Sequence, residues 1–185
     1  ARPSQALGAW EDAPGVYAGR DLEAGGTWLG VGPQGRFAAL TNIRDPQQPQ
    51  GPRSRGELVA RYLSGEVGVE AYLDQVASRS HQYSGFNLLV GDAEQLGYLN
   101  AQEAAPLLLA EGVYGLSNAG LNTPWPKLVK ARVALEHQLQ DPRPQRLLAL
   151  LGDEQLSVID DAPGFISEKI GIQVGHAEGT RTFRN

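Results

Sequence analysis

The chain has 185 residues, of which 41% are hydrophobic and 20% charged, with a formal net charge of -5. That is enough apolar material for one ordinary core, without the clustered excess of Lys and Arg that a nucleic-acid or anionic-membrane footprint needs. Cys is absent, which removes disulfides, thiolate metal sites and a Cys nucleophile from these residues, and no apolar run reaches membrane-spanning length.

Met is absent too, and the sequence opens abruptly on Ala1-Arg2-Pro3. The expectation is one domain over residues 1–185, incomplete at its N-terminus and at its C-terminus. Pro3, Gly8, Pro14 and Gly15 punctuate residues 1–18, which read as loop anchored by Trp10 and Tyr17. Residues 19–26 form a polar turn carrying Arg20, Asp21 and the Gly25-Gly26 pair, and they deliver the chain into a short strand over 27–31. Gly32-Pro33-Gln34-Gly35 is a turn signal, and residues 36–43 read as the returning strand of a hairpin.

Residues 44–56 are a loop rich in Pro, Gln and Gly that carries Arg44, Arg53 and Arg55. It reads either as a solvated connection or as a lid offering guanidinium groups to an anion. Ser54 and Glu57 have capping-box spacing ahead of Leu58, Val59, Tyr62 and Leu63, and Gly65 closes that helix. A second helix runs over 69–79, with Val69, Tyr72, Leu73 and Val76 on one face. Four short strand-like runs follow at 86–90, 96–99, 107–109 and 113–116, spaced as an antiparallel meander. After a loop, Thr123 is placed to cap a helix over 127–140, and a last short helix runs over 145–151. The order is strands, two helices, four strands, two helices. That predicts an α+β fold of antiparallel sheet with helices on the outer faces.

His81, His137 and His176 show no metal-ligand spacing. No phosphate loop, dinucleotide fingerprint or nucleophile elbow occurs. What remains is a pair of amides: Asn42 closes one apolar strand and Asn118 another. Singly each reads as a turn-tolerant strand end. Together they could supply N–H donors to a developing oxyanion or a bound carboxylate.

The stretch Gly19-Arg20-Asp21-Leu22-Glu23-Ala24-Gly25-Gly26-Thr27-Trp28-Leu29-Gly30 resembles the hallmark of the NRDE family, also called the transport and Golgi organisation protein 2 family. Further stretches fit in order: Phe37-Ala38-Ala39-Leu40-Thr41-Asn42, Ser54-Arg55-Gly56-Glu57-Leu58-Val59, Tyr83-Ser84-Gly85-Phe86-Asn87, and Gly115-Leu116-Ser117-Asn118 through Trp125-Pro126-Lys127. The match covers about residues 1–140. Beyond it, Gly179-Thr180-Arg181 is similar to a late family motif, whereas residues 160–178 depart from the pattern.

The resemblance implies a fold like the N-terminal-nucleophile hydrolases, a four-layer helix–sheet–sheet–helix sandwich. Family members begin Met-Cys and carry Asn-Arg-Asp-Glu shortly before an Ala-Arg-Pro, and neither feature occurs in residues 1–185. In such hydrolases an N-terminal Cys attacks an amide with its own α-amine as base. The resemblance then makes Asn42 and Asn118 oxyanion donors and Arg181 a late active-site residue. It also makes Arg20, Asp21, Gly26, Thr27, Trp28, Arg44 and Trp125 the lining of a ligand pocket.

Two functions fit these expectations. One is a C–N amide hydrolase whose Cys lies outside this sequence. The other is a cytoplasmic binding or trafficking protein that uses the same pocket for haem, a lipophilic acid or an acyl-CoA. Either takes a small anionic amphiphile, with no required cofactor, metal, nucleic acid or membrane span.

Overall fold

The computed structural model describes residues 2–43 and 51–152. They fall in two compact units, Arg2–Glu111 and the described part of a second unit that starts at Gly112. In the first unit, seven strands form one sheet: β1 (Ser4–Ala9), β2 (Tyr17–Asp21), β3 (Leu29–Val31), β4 (Phe37–Asn42), β5 (Phe86–Gly91), β6 (Leu96–Asn100) and β7 (Leu107–Leu109). Their order in the sheet is their order in the chain, and every neighbouring pair is antiparallel.

Two helices, α1 (Gly56–Ser64) and α2 (Val69–Ala77), lie in sequence between β4 and β5. Those two strands nevertheless pair without a break from Phe37↔Gly91 to Asn42↔Phe86. The helical excursion therefore folds back onto the sheet that it interrupts. Register explains which face receives it. Ala38 pairs with Val90, Leu40 with Leu88, and Leu88 with Leu99, so these side chains share one face. They form one buried cluster with Leu58, Val59, Tyr62 and Leu63 of α1 and Val69, Tyr72, Leu73 and Val76 of α2. Each fully buried aliphatic side chain of this kind contributes roughly 1.5–3 kcal/mol. The helices approach so closely that a Cβ on Gly97 would lie 2.5 Å from Leu73 Cδ1, and one on Gly30 2.7 Å from Leu63 Cδ1.

Arg36 ties this arrangement at the head of β4. Its guanidinium lies 4.2 Å from the Tyr62 ring centroid and donates to the carbonyls of Tyr62 and Val67, while Tyr62 Oη donates to Gly91 O at 3.0 Å. A buried charge is tolerable here because carbonyl dipoles and a π face replace water. The opposite face of the sheet differs. Tyr17, Leu29, Val31 and Leu107 are exposed there.

In the second unit, α3 (Pro126–Gln138) and α4 (Pro144–Leu150) pack on one another. The Asp141 carboxylate between them takes Arg143 Nε at 2.9 Å and Arg146 Nη1 at 3.2 Å. The preceding turn is closed by Ser117, whose Oγ accepts from the backbone N–H groups of Ala119 and Gly120.

The α+β reading, both sheet-packed helices and the central hairpin agree with the sequence expectation. Several details do not. Residues 1–18 are not all loop but supply β1 and the first two residues of β2; β1 is an exposed edge strand, so it lacks the apolar alternation that marks a half-buried one. The run over 113–116 makes no strand, only an isolated bridge between Leu116 and Leu121. The capping box does not form, because α1 is N-capped at Arg55 and Glu57 is drawn to longer-range partners. Trp125 rather than Thr123 occupies the N-cap position of α3. Among the described residues there is one sheet, with α1 and α2 on one of its faces.

Candidate functional site at the polar end of the sheet

In an antiparallel meander, alternate strands end on the same side. Asp21 ends β2, Asn42 ends β4 and Asn100 ends β6, while β1, β3 and β5 begin beside them. The other end of the sheet carries the buried Arg36 at the head of β4 and Asp92 in the β5–β6 turn. Asp21, Asn42 and Asn100 thus share one end as the last residues of their strands.

The turn after β2 is held by Asp21. Its own N–H donates to Gly26 O at 2.8 Å, and its carbonyl accepts from Gly25 N at 2.7 Å. Asp21 Oδ1 accepts from the N–H groups of Glu23 and Ala24, at 2.9 and 3.2 Å, and Oδ2 accepts from Arg2 Nη1 at 3.0 Å. The residue is only 6% exposed. Burial pushes its carboxyl up, but the Arg2 bond and the two backbone donors outweigh that and hold it below its ordinary value. Gly25 adopts φ +75° with open space around it, the left-handed conformation that glycine takes without strain. Gly26 serves differently. A Cβ there would lie 2.4 Å from the Gly56 carbonyl carbon, so the turn is pressed against the start of α1. Thr27 N donates to Gly56 O at 3.1 Å, and the buried Thr27 hydroxyl donates to Leu29 O at 3.2 Å. Trp28 is 42% exposed, while its backbone carbonyl receives Leu40 N.

Beyond Asn42, Ile43 N donates to Gly85 O at 3.0 Å. The same carbonyl receives Arg55 Nη1 at 2.8 Å, which brings the α1 N-cap to the end of the β4–β5 pair. The Arg55 guanidinium is acidified by burial first and by the neighbouring Arg2 second. Thr41, Asn87 and Asn100 stand side by side on three adjacent strands, on the face away from α1 and α2. Asn87 is fully buried. Its Oδ1 accepts from Tyr98 Oη at 2.6 Å and from Asn100 Nδ2 at 3.2 Å, and its Nδ2 reaches Thr41 Oγ1 at 3.4 Å. A buried amide row of this kind is stable only when its members satisfy one another.

The first unit therefore places Asp21, Gly26, Thr27, Trp28 and Asn42 at one end of one sheet. Arg20 is at the same turn but is occupied. Its Nη1 and Nη2 each meet an Asp12 oxygen at 2.6 Å, and its guanidinium lies 4.3 Å from the Trp10 ring centroid. Asn118 and Trp125 belong to the second unit, Asn118 within the Ser117 turn and Trp125 at the N-cap of α3. Arg44 and Arg181 lie outside the described residues. Sequence reasoning passed over Asn87, Tyr98, Asn100 and Arg2. An available signal was the amide at Asn87, set inside the otherwise apolar run 86–90.

The motifs at this end are those of a known family. The family model "Transport and Golgi organisation 2" matches residues 1–172. The chain belongs to the Transport and Golgi organisation 2 family. It is 39% identical over 177 residues to the Transport and Golgi organization protein 2 homolog of Bos taurus, covering 87% of this chain and 64% of that one. The corresponding homolog of Homo sapiens is 42% identical over 136 residues, which cover 69% of this chain and 49% of that protein. The Drosophila melanogaster Transport and Golgi organization protein 2 is 29% identical over 144 residues, 69% of this chain and 51% of that one. The chain thus spans between about half and two thirds of the length of these Transport and Golgi organisation 2 relatives. No helix among the described residues is long and apolar enough to cross a membrane.

Proposed function

We propose that this member of the Transport and Golgi organisation 2 family is a C–N amide hydrolase of the N-terminal-nucleophile type, with its reactive Cys outside residues 1–185. The observation that carries this reading is the gathering of Asp21, Thr27, Asn42, Asn87 and Asn100 along one end of the sheet, where β1 also begins. In the proposed reaction a thiolate attacks the amide carbonyl carbon. The Asn42 side-chain amide donates to the oxygen as it becomes negative. The C–N bond breaks, the amine leaves with a proton relayed by the α-amine of the nucleophile, and water then cleaves the thioester to the acid. The Asp21–Arg2 pair holds the turn that borders this end, and the Asn87 row fixes the strands.

The same reading gives the sheet a second layer. Tyr17, Leu29, Val31 and Leu107 are exposed on the face away from α1 and α2. Exposed apolar area of this extent on one face favours a covering partner. A second sheet in that place would complete the helix–sheet–sheet–helix sandwich.

A second function is favoured by the exposure of Trp28 beside the polar end. An exposed indole next to polar groups suits a lipophilic acid or haem held without chemistry. The deciding experiment incubates full-length protein with a panel of N-acyl amides and follows amine release by mass spectrometry, with haem titration monitored at the Soret band. Amide cleavage abolished by alkylating an N-terminal Cys supports the hydrolase. A saturable Soret shift weakened in Trp28→Ala, with no cleavage, supports the carrier and removes the hydrolase.

A further inference from the structure

Among the described residues at the polar end, Arg2, Arg20 and Arg53 each have a counter-charge, whereas Arg55 and Arg79 have none, and of these two Arg55 is the one beside Asn42. Arg2 meets Asp21 at 3.0 Å and Glu23 at 3.7 Å. Arg20 is held by Asp12 through two nitrogens. Arg53 meets Glu57 at 2.7 Å and Gln82 at 3.2 Å. Arg55 has the Gly85 carbonyl at 2.8 Å and, among the described residues, no carboxylate.

A guanidinium carries five N–H donors in a planar fork. One bond to a neutral carbonyl leaves most of them unmatched. Arg55 is partly withdrawn from water, and Arg2 is close enough to add a like charge. Such a group is unfavourable in the empty protein and becomes favourable once an anion arrives. The helix end adds little to the attraction, because two N–H groups of its first turn are already bonded, Glu57 N to Ser54 O at 3.2 Å and Leu58 N to Arg55 O at 3.0 Å. Position matters as well. Arg55 and Ile43, the residue after Asn42, donate to one and the same carbonyl, so the guanidinium stands beside the amide that closes β4.

We infer that Arg55 is the anion-binding residue of this site and takes a carboxylate carried by the substrate next to its scissile amide. The inference rests on the hydrolase reading for the word substrate, and on the local geometry alone for the carboxylate. A planar carboxylate fits the fork with two parallel bonds. The substrate class is then an N-acyl amino acid or a similar acid-bearing amide. Arg20, one of the two cations that the sequence puts forward for the ligand pocket, does not have this role because Asp12 neutralises it.

The test uses three probes with the same tail on full-length protein whose nucleophile has been alkylated, so that binding is read without turnover. The probes are N-octanoylglycine, its neutral glycinamide and octyl phosphate, titrated by calorimetry. The acid is expected to bind about ten- to a hundredfold more tightly than the neutral amide. Arg55→Gln is expected to erase that preference, and Arg55→Lys to keep a part of it. Equal affinity for acid and amide in the wild type overturns the inference, as does a preference that survives Arg55→Gln. Tighter binding of octyl phosphate than of the acid overturns the carboxylate assignment. If Arg55→Gln does not fold, the Arg55 Nε–H resonance of the wild type decides. A shift on adding the acid but not the amide supports the site, and no shift removes it. Hydrolysis is scored separately on unmodified protein, so absent turnover with intact acid preference sinks only the hydrolase reading.

Discussion

Arg2 Nη1 lies 3.0 Å from Asp21 Oδ2, joining a residue just ahead of β1 to the last residue of β2. The same carboxylate accepts two backbone N–H groups of the following turn. Removing it in Asp21→Ala takes the acceptor from Arg2 and from two backbone N–H groups, and is expected to lower stability by about 1–2 kcal/mol. The folded carboxyl titrates below its unfolded value. Its stabilising contribution is therefore present above pH ~4, the ordinary carboxylate range, and is lost as pH falls through the lower folded value. Denaturant melts of wild type and Asp21→Ala between pH 3 and pH 7 check this. The two curves should converge toward acid, and a gap independent of pH contradicts the assignment.

The two adjacent glycines of the turn should respond oppositely to substitution. Gly25 has φ +75° and nothing near its Cβ direction. Asn tolerates that conformation, so Gly25→Asn is expected to fall within about 1 kcal/mol of wild type. Gly26 faces the Gly56 backbone at 2.4 Å. Gly26→Ala must push the turn off α1, with an expected loss of about 1–3 kcal/mol. Thermal unfolding of the two variants separates the cases, and equal destabilisation would contradict the close contact assigned to Gly26.

Tyr83 Oη donates to Glu57 Oε1 at 2.5 Å, and Arg53 Nε meets the same oxygen at 2.7 Å. Burial, then Glu57, raises the Tyr83 phenol to about 12. Burial also pushes the Glu57 carboxyl up, but Arg53 and Tyr83 outweigh it and leave that group lowered. A raised phenol stabilises fully below its unfolded value of 10.0, and the benefit goes as pH climbs toward the folded one. A lowered carboxyl stabilises above about pH 4.3 and loses its benefit in acid. Tyr83→Phe is expected to cost about 1.5–3 kcal/mol at neutral pH and to flatten the alkaline arm of the stability profile. Urea melts at pH 7 and pH 11 measure both effects, and an unchanged alkaline arm would count against the bond.

Much of the fold could be read from the residues because burial imposes a period. Leu58, Val59, Tyr62 and Leu63, with Val69, Tyr72, Leu73 and Val76, repeat at helical spacing because one face of each helix is buried. The nearly continuous apolar runs of β4 and β5, interrupted in β5 by Asn87, mark a sheet centre. Where burial is weak the signal fails. β1 is mostly exposed, preceded by Pro3 and interrupted by Gly8, so it reads as loop. Residues 113–116 are as apolar as a strand, yet form only a turn bridge. The capping box fails for another reason: Glu57 has better partners in Arg53 and Tyr83, and such distant pairings leave no local trace. The same holds at the site. Asp21 and Asn42 stand out by position in their motifs, whereas the pairing of Arg20 with Asp12, and with it the isolation of Arg55, emerges only from the folded chain.

At the polar end of the sheet, the proposed chemistry depends most heavily on the Asn42 amide acting on a developing oxyanion. Turnover of an N-acyl amino acid by full-length wild type and Asn42→Ala, measured beside their melting temperatures, tests it directly. Loss of one preorganised donor should lower kcat by about a hundred- to a thousandfold while the melting temperature stays close to wild type. Equal turnover in the two proteins, or a fall in kcat matched by loss of the fold, would contradict it.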